Sequence, residues 1–255
     1  MTEPTEPTEL VHYDLADGVA TITLDSPHNR NALSKVLVTQ VFDALDRAET
    51  DDGARVVLIR SADRVFCSGA DLSEAAAGGM EEGTRALVAL QRRIVTHPRP
   101  VVVRLAGPVR AGGLGMVAAA DVVVCADDVS FAFTESRLAL APAVISLTVL
   151  PRLTSRAAAD TFLTGRTFGA AEAAAMGLVT RAVPAAELDA AVADACAELT
   201  RAHPQGLRET KALLAQPLVR HLDAHAEEMA VLSARLFGSE AAREAMTAFL
   251  ERKRA

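Results

Sequence analysis

Two glycine-containing segments each follow a strand-like run and lead into a helix: Phe66-Cys67-Ser68-Gly69-Ala70-Asp71-Leu72, and the stretch from Ala106 to Gly115 that carries Gly107, Gly112, Gly113 and Gly115. Such turns present backbone N–H groups that no preceding helical turn can use, and their small residues let a ligand reach the main chain. Brought together, two of them make an oxyanion hole; taken singly, each reads as an ordinary tight turn. Gly113-x-Gly115-x-x-Ala118 also resembles a dinucleotide-binding fingerprint. A helix confined to about residues 113–121 is short, however, for the crossover of roughly 10 to 12 residues between parallel strands. His221 and His225 sit one helical turn apart, without the Glu of HExxH or a third ligand nearby in sequence, and read as a helix face rather than a metal site. Ser68 with His97 lacks both a GxSxG elbow and an orienting acid, so a hydrolase pair is disfavoured.

These segments need a scaffold of strands and helices in alternation. Residues 18–24 (GVATITL) have strand character, 25–31 (DSPHNRN) make a turn, and Val36, Leu37, Val41, Ala44, Leu45 and Ala48 form a helical stripe. Residues 55–59, 100–105, 122–125 and 129–133 are further strands, with a helix through Leu87, Leu90 and Ile94 that stops at Pro98. Alternation of this kind predicts an α/β fold with largely parallel strands. Residues 155–164, 170–176 and 184–202 are Ala-rich helices, 178–183 a strand, and the last sixty residues are helical, broken near Gly238-Ser239. The expected organisation is a solvated tail at 1–10, an α/β core at 11–195 and a helical subdomain at 196–255. The segment 73–83 is expected to be a mobile loop that shapes a pocket.

The 255 residues are 50% hydrophobic, with a mean hydropathy of +0.21, enough to build a sizeable core. A net charge of −7 and 4% aromatic residues disfavour nucleic-acid binding, which needs cations for phosphates and rings for base stacking. The longest nearly uncharged apolar stretch, 138–150, is shorter than the ~18 residues of a membrane span, and the Thr-Glu-Pro repeat at the start lacks an apolar signal core. A cytoplasmic protein is expected. Three cysteines without CxxC spacing predict buried thiols.

In order and spacing, the motifs LDSPHNRNALS (24–34), VFCSGADL (65–72), LAGPVRAGGLGMVAAADVVV (105–124), FAFTESRLALAP (131–142), TGRTFGAAEAAAMGLVTRAVP (164–184) and MTAFLERKRA (246–255) resemble the enoyl-CoA hydratase/isomerase, or crotonase, superfamily. The resemblance implies a crotonase-like spiral of ββα turns with a C-terminal helical oligomerisation subdomain, assembled as a homotrimer or a dimer of trimers. It implies acyl-CoA thioester substrates, with CoA part of the substrate and no separate cofactor or metal. It assigns the oxyanion donors to the N–H groups of Ala70 and Gly112, and acid/base work to Glu135. CoA contacts fall at His28, Arg30, Ser68, Asp71, Leu72, Phe249 and Lys253, with the last helix reaching the ligand of a neighbouring subunit.

The family's first carboxylate position is Gly115 here, so a single Glu remains. That pattern fits a hydratase with one acid/base, as in a bacterial branch that includes 3-methylglutaconyl-CoA hydratases. It also fits a Δ3-Δ2 enoyl-CoA isomerase that shuttles one proton, or a non-catalytic acyl-CoA-binding member. Outside the resemblance, Glu135 reads as a salt-bridge partner of Arg137 or Arg152.

Overall fold

The computed structural model describes residues 9–77 and 80–254; the side chains of residues 75–77, 250 and 252–254 lie outside the described residues, as does most of the expected tail at 1–10. The chain opens with β1 (Val11–Ala16), an edge strand that the sequence reading did not single out, paired antiparallel with β2 (Val19–Leu24) across the Asp17-Gly18 turn. Asp17 and Gly18 both hold positive φ, as a two-residue hairpin turn requires. Helix α1 (Lys35–Thr50) follows, its amide end capped by the Ser34 hydroxyl, which accepts from the Leu37 N–H at 3.3 Å. Leu37, Val41, Ala44, Leu45 and Ala48 face the sheet as their spacing predicts. Val36 does not: it is 45% exposed, because the first turn has room for one flank of the stripe only.

After β3 (Val56–Ser61) come α2 (Leu72–Ala77) and α3 (Met80–Thr96), then β4 (Val101–Leu105), β5 (Val109–Arg110), α4 (Gly112–Ala119), β6 (Val122–Ala126) and β7 (Ser130–Ala132). The segment expected to be a loop at 73–83 is therefore the end of one helix and the start of another, with residues 78–79 outside the description. The second half carries α5 (Ala143–Val149), α6 (Ser155–Thr164), β8 (Phe168–Gly169), α7 (Ala170–Ala175), β9 (Arg181–Val183), α8 (Leu188–Arg201), α9 (Pro204–Phe237) and α10 (Glu240–Arg254). Helix α8 runs through residues 195 and 196, where the core was expected to end and the helical subdomain to begin. The break at Gly238-Ser239 stands, with the Ser239 hydroxyl accepting from the Ala242 N–H.

A six-stranded sheet has the order β1-β2-β3-β4-β6-β9, parallel from β2 onward. Val56, Val57 and Ile59 of β3 and Val101, Val102 and Val103 of β4 are fully buried, which is why these strands read as continuous apolar runs. A smaller sheet has the order β5-β7-β8, with β5 and β7 parallel. Successive turns of the chain give one strand to the large sheet and a short extended run to the small one before a helix. This is the spiral of ββα turns that the motifs implied.

The crossover from β4 to β6 corrects one step of the sequence reading. These strands are parallel neighbours, and the eight-residue α4 suffices because the run through β5 lengthens the connection. The dinucleotide reading fails for a different reason: Gly113 and Gly115 are packed against protein. A Cβ at Gly113 would lie 2.6 Å from the Cys67 Cβ.

Helix α9 joins the main core through Leu218, Leu222 and Ala230 and is locked by a buried lysine. The Lys211 ammonium donates to the Ile94 carbonyl at 3.1 Å, the Arg99 carbonyl at 3.0 Å and the Asp121 carboxylate at 2.8 Å. Asp121 also accepts from the Val101 N–H at 2.7 Å. All three ammonium protons are used, so the charge is tolerated although burial lowers the Lys211 pKa. Lys211→Ala is expected to lower unfolding stability by about 3 to 5 kcal/mol, because it strands Asp121 and two carbonyls. Denaturant titration measures this as a lower midpoint with an unchanged slope.

Candidate active site

Three short parallel runs lie side by side. Val109 pairs with Phe131 and Arg110 with Ala132, while Cys67 bridges to Val109 on the other side. The Arg110 N–H donates to the Cys67 carbonyl at 3.0 Å and the Ala111 N–H to the Ala132 carbonyl at 3.2 Å. Cys67, Val109 and Phe131 are thus level, and three residues further along each run stand Ala70, Gly112 and Thr134, with Glu135 next. Carboxyl ends of parallel strands are where α/β folds place their ligands.

The two amides assigned to the oxyanion are brought together by this register. A Cβ at Gly112 would lie 3.7 Å from the Ala70 nitrogen, and one at Gly69 would lie 3.7 Å from the Gly112 nitrogen. Gly69 holds φ +100°, a conformation open to glycine and costly for other residues. No hydrogen bond within the described residues takes the Ala70 N–H, and Gly112, as the first residue of α4, has no preceding turn to donate to. Ala111 is the residue the motifs did not reveal: it holds φ +45° and ψ −120°, strained for a side chain with a Cβ, and aims the start of α4. Its only sequence signal was its place before Gly112.

Glu135 opens the 3-10 helix Glu135–Leu138 directly after β7 and is 9% exposed. Its Oε2 is buried without a hydrogen-bond partner. The salt-bridge reading is not supported, because both candidate arginines are engaged elsewhere. Arg137 donates to the Thr164 carbonyl, and Arg152 to the Ala118 and Ala120 carbonyls. Burial pushes the Glu135 pKa up to about 7. A carboxyl group in that state can give or take a proton near neutrality.

Gly115, one turn beyond Gly112, has its side-chain space filled. A Cβ there would lie 2.9 Å from the Gln91 carboxamide and 3.0 Å from the Ile145 Cγ2. Gln91 is fully buried and saturated: its Nε2 donates to the Leu87 and Val144 carbonyls, and its Oε1 accepts from the Thr148 hydroxyl at 2.6 Å. That hydroxyl also lies 3.1 Å from the Gly115 carbonyl. A neutral network therefore stands where a second acid would begin, and Glu135 is left as the titratable group of this register.

The remaining candidates divide between structure and surface. Ser68 is a fastener: its hydroxyl donates to the Asn29 carbonyl and its N–H to the Arg30 carbonyl. Asp71 accepts from Asn29, from the Ser73 hydroxyl and amide, and from the Glu74 N–H. Burial alone would raise the Asp71 pKa, but these donors, Ser73 and Asn29 foremost, outweigh it and hold the carboxylate ionised. Both residues tie the turn at 26–31 to the SGAD segment, leaving His28 and Arg30 exposed beside it, Arg30 with φ +59°. Leu72 packs with Leu138, Leu140, Ala242 and Met246, so α10 lies on the turn that carries Glu135 in its own chain. Phe249 is half-buried on α10, and the Lys253 side chain lies outside the described residues.

The rejected pairings stay apart. His97 bonds the Arg99 and Leu45 carbonyls, far from the Asn29 carbonyl that holds Ser68, and burial lowers its pKa to about 4. The His221 and His225 rings lie 4.8 Å apart, tilted by 54°, and no group of three or more metal-ligating side chains that could hold an ion occurs among the described residues. The three thiols are free and buried.

Two stability measurements check this geometry. The folded Glu135 carboxyl keeps its proton up to about pH 7, whereas the unfolded one loses it near 4.5. Its contribution is thus fully present below the unfolded value and lost as pH rises through the folded one, a change of about 3 kcal/mol. The stability of Glu135→Gln relative to wild type is expected to rise by about that amount across this window in urea titrations. Gly115→Ala meets a clamped carboxamide that cannot give way, and is expected to cost about 1 to 3 kcal/mol.

Residues 14–255 match the enoyl-CoA hydratase/isomerase family. The chain is 44% identical to a structurally determined enoyl-CoA hydratase from Mycobacterium avium, with a TM-score of 0.90 over 96% of this chain and 97% of that one. It is 35% identical to 4-chlorobenzoyl coenzyme A dehalogenase-2 of an Arthrobacter species, over 77% of this chain and 75% of the relative. It is 29% identical to the hydroxycinnamoyl-CoA hydratase-lyase of Pseudomonas fluorescens, over 79% and 76%. With the spiral fold and the motifs in register, the chain belongs to the enoyl-CoA hydratase/isomerase family of the crotonase superfamily.

Proposed function

We propose that the protein is an enoyl-CoA hydratase in which Glu135 is the sole acid/base and the amides of Ala70 and Gly112 hold the thioester oxygen. The observation that carries this reading is the buried Glu135 Oε2, which has no hydrogen-bond partner among the described residues and so leaves an acceptor for a substrate to meet. Buried polar atoms are otherwise satisfied in folded proteins.

In the proposed reaction the Glu135 carboxylate takes a proton from water as the water oxygen bonds to the β-carbon of a 2-enoyl thioester. The double-bond electrons move onto the thioester oxygen, giving an enolate that accepts both amide hydrogen bonds. Each such donor is worth about 2.7 to 4 kcal/mol at comparable sites. Protonated Glu135 then delivers the proton to the α-carbon, the enolate collapses to the carbonyl, and the carboxylate is restored. A pKa near neutrality suits a group that must do both. Arg30, exposed with His28 on the turn fastened to the SGAD segment, supplies a cation for CoA phosphates despite the overall charge of −7.

A second reading rests on Gly115. With Gln91 and Thr148 in place of a second acid, one carboxyl moving a proton between the α- and γ-carbons would make the enzyme a Δ3-Δ2 isomerase. Supplying a 2-enoyl-CoA and a 3-enoyl-CoA separately and identifying the products distinguishes them: hydration of the 2-enoyl thioester supports the first reading, and conversion of the 3-enoyl thioester without hydration replaces it with the second. Glu135→Gln is expected to bind acyl-CoA as wild type does and to lose about 10²- to 10⁴-fold in turnover. Unchanged turnover would remove Glu135 from the chemistry, and a wild type that turns over neither thioester would leave a binding protein.

A further inference from the structure

Helices α3 and α4 run together so that residues one turn apart on each helix face one another. A Cβ at Gly112 would lie 3.3 Å from the Leu87 Cδ2, and one at Gly115 would lie 2.9 Å from the Gln91 carboxamide. Leu87 and Gln91 are four residues apart on α3, as Gly112 and Gly115 are three apart on α4, so each pair shares a helix face. Leu33 closes the Gly112 side at 3.0 Å, and Ile145 the Gly115 side at 3.0 Å. The face of α4 that carries these two glycines is therefore packed by Leu33 and Leu87 beside the first amide and by Gln91 and Ile145 one turn deeper.

Gln91 is an expensive way to fill this space. A leucine or methionine would cover the same area without needing partners, whereas a buried carboxamide has to satisfy every donor and acceptor. Here each is satisfied, by the Leu87 and Val144 carbonyls and the Thr148 hydroxyl. The clamp fixes the side chain's rotamer from two helices, α3 and α5, so the stop is rigid rather than a flexible apolar chain that a ligand could push aside.

We propose that Gln91 is a specificity-determining residue: its clamped carboxamide is the stop of the acyl channel beside Gly115 and limits the protein to short acyl groups. The inference rests on the acyl-CoA reading, since it takes the thioester carbonyl to lie at the Ala70 and Gly112 amides. It does not depend on which reaction follows. A channel closed one helical turn, about 5.4 Å, beyond the carbonyl site accepts only a few carbons.

Calorimetric binding of unreactive saturated thioesters, butyryl-CoA and decanoyl-CoA, tests this without turnover. Gln91→Ala opens the stop and is expected to raise the affinity for decanoyl-CoA relative to butyryl-CoA by about tenfold or more, in the range that pocket methylenes command. Gln91→Met keeps the volume while removing the clamp's hydrogen bonds, and its ratio is expected to fall between those of wild type and Gln91→Ala. Gln91→Ser replaces the alanine variant should that one fail to fold. An unchanged ratio in the small variant, or an equal shift in Gln91→Met, would overturn the proposal. A wild type that prefers butyryl-CoA to decanoyl-CoA and turns over no enoyl-CoA would remove the catalytic reading and leave this one standing; one that binds both equally would overturn this proposal, and one that binds neither would remove both.

Discussion

The site depends on the parallel register of three short runs, at Cys67, Val109 and Phe131. None of the groups in it is reactive by residue type alone: two backbone amides and a glutamate become a device only when they stand at one level. A one-residue slip in any run would turn its side chains to the opposite face and carry its amide away from the others. Much of the surrounding sequence serves to prevent that slip. Gly107 lies where a Cβ would collide with the Arg64 carbonyl at 1.3 Å, and Gly113 where it would collide with Cys67, so the runs around 65 and 107 pack without an intervening side chain. Small residues in these motifs answer to packing between segments as much as to ligand access.

Desolvation supplies the second half of the account. The carboxyl of Glu135 sits in a turn covered in part by α10, and the cost of burying its charge appears as a pKa pushed up to about 7. Gln91 and Thr148 fill the space at Gly115 with a closed, neutral hydrogen-bond network, whereas Glu135 Oε2 is left without a partner among the described residues.

Most of the scaffold was legible in the sequence because period and punctuation agree. The strands at 56–61 and 101–105 read as largely apolar runs, and the break between the last two helices falls at Gly238-Ser239 as their chemistry predicts. The short run β5, the strained Ala111 and the closing of Gly115 by Gln91 were not legible, because each is fixed by contacts between segments distant in the chain. The identity of a residue at 91 says nothing until α3 is laid against α4. The fastening of the turn by Ser68 and Asp71 was not legible for the same reason, because their partners Asn29 and Arg30 lie far back in the chain.

The central claim is that Glu135 exchanges protons with the α-carbon of a thioester whose oxygen is held by two amides. Deuterium incorporation at the α-carbon of butyryl-CoA in heavy water, followed by proton NMR, reads that exchange without requiring water addition or double-bond movement. The account predicts incorporation with wild type and its loss, by about 10²-fold or more, in Glu135→Gln at undiminished butyryl-CoA affinity. Incorporation by Glu135→Gln at the wild-type rate would contradict it.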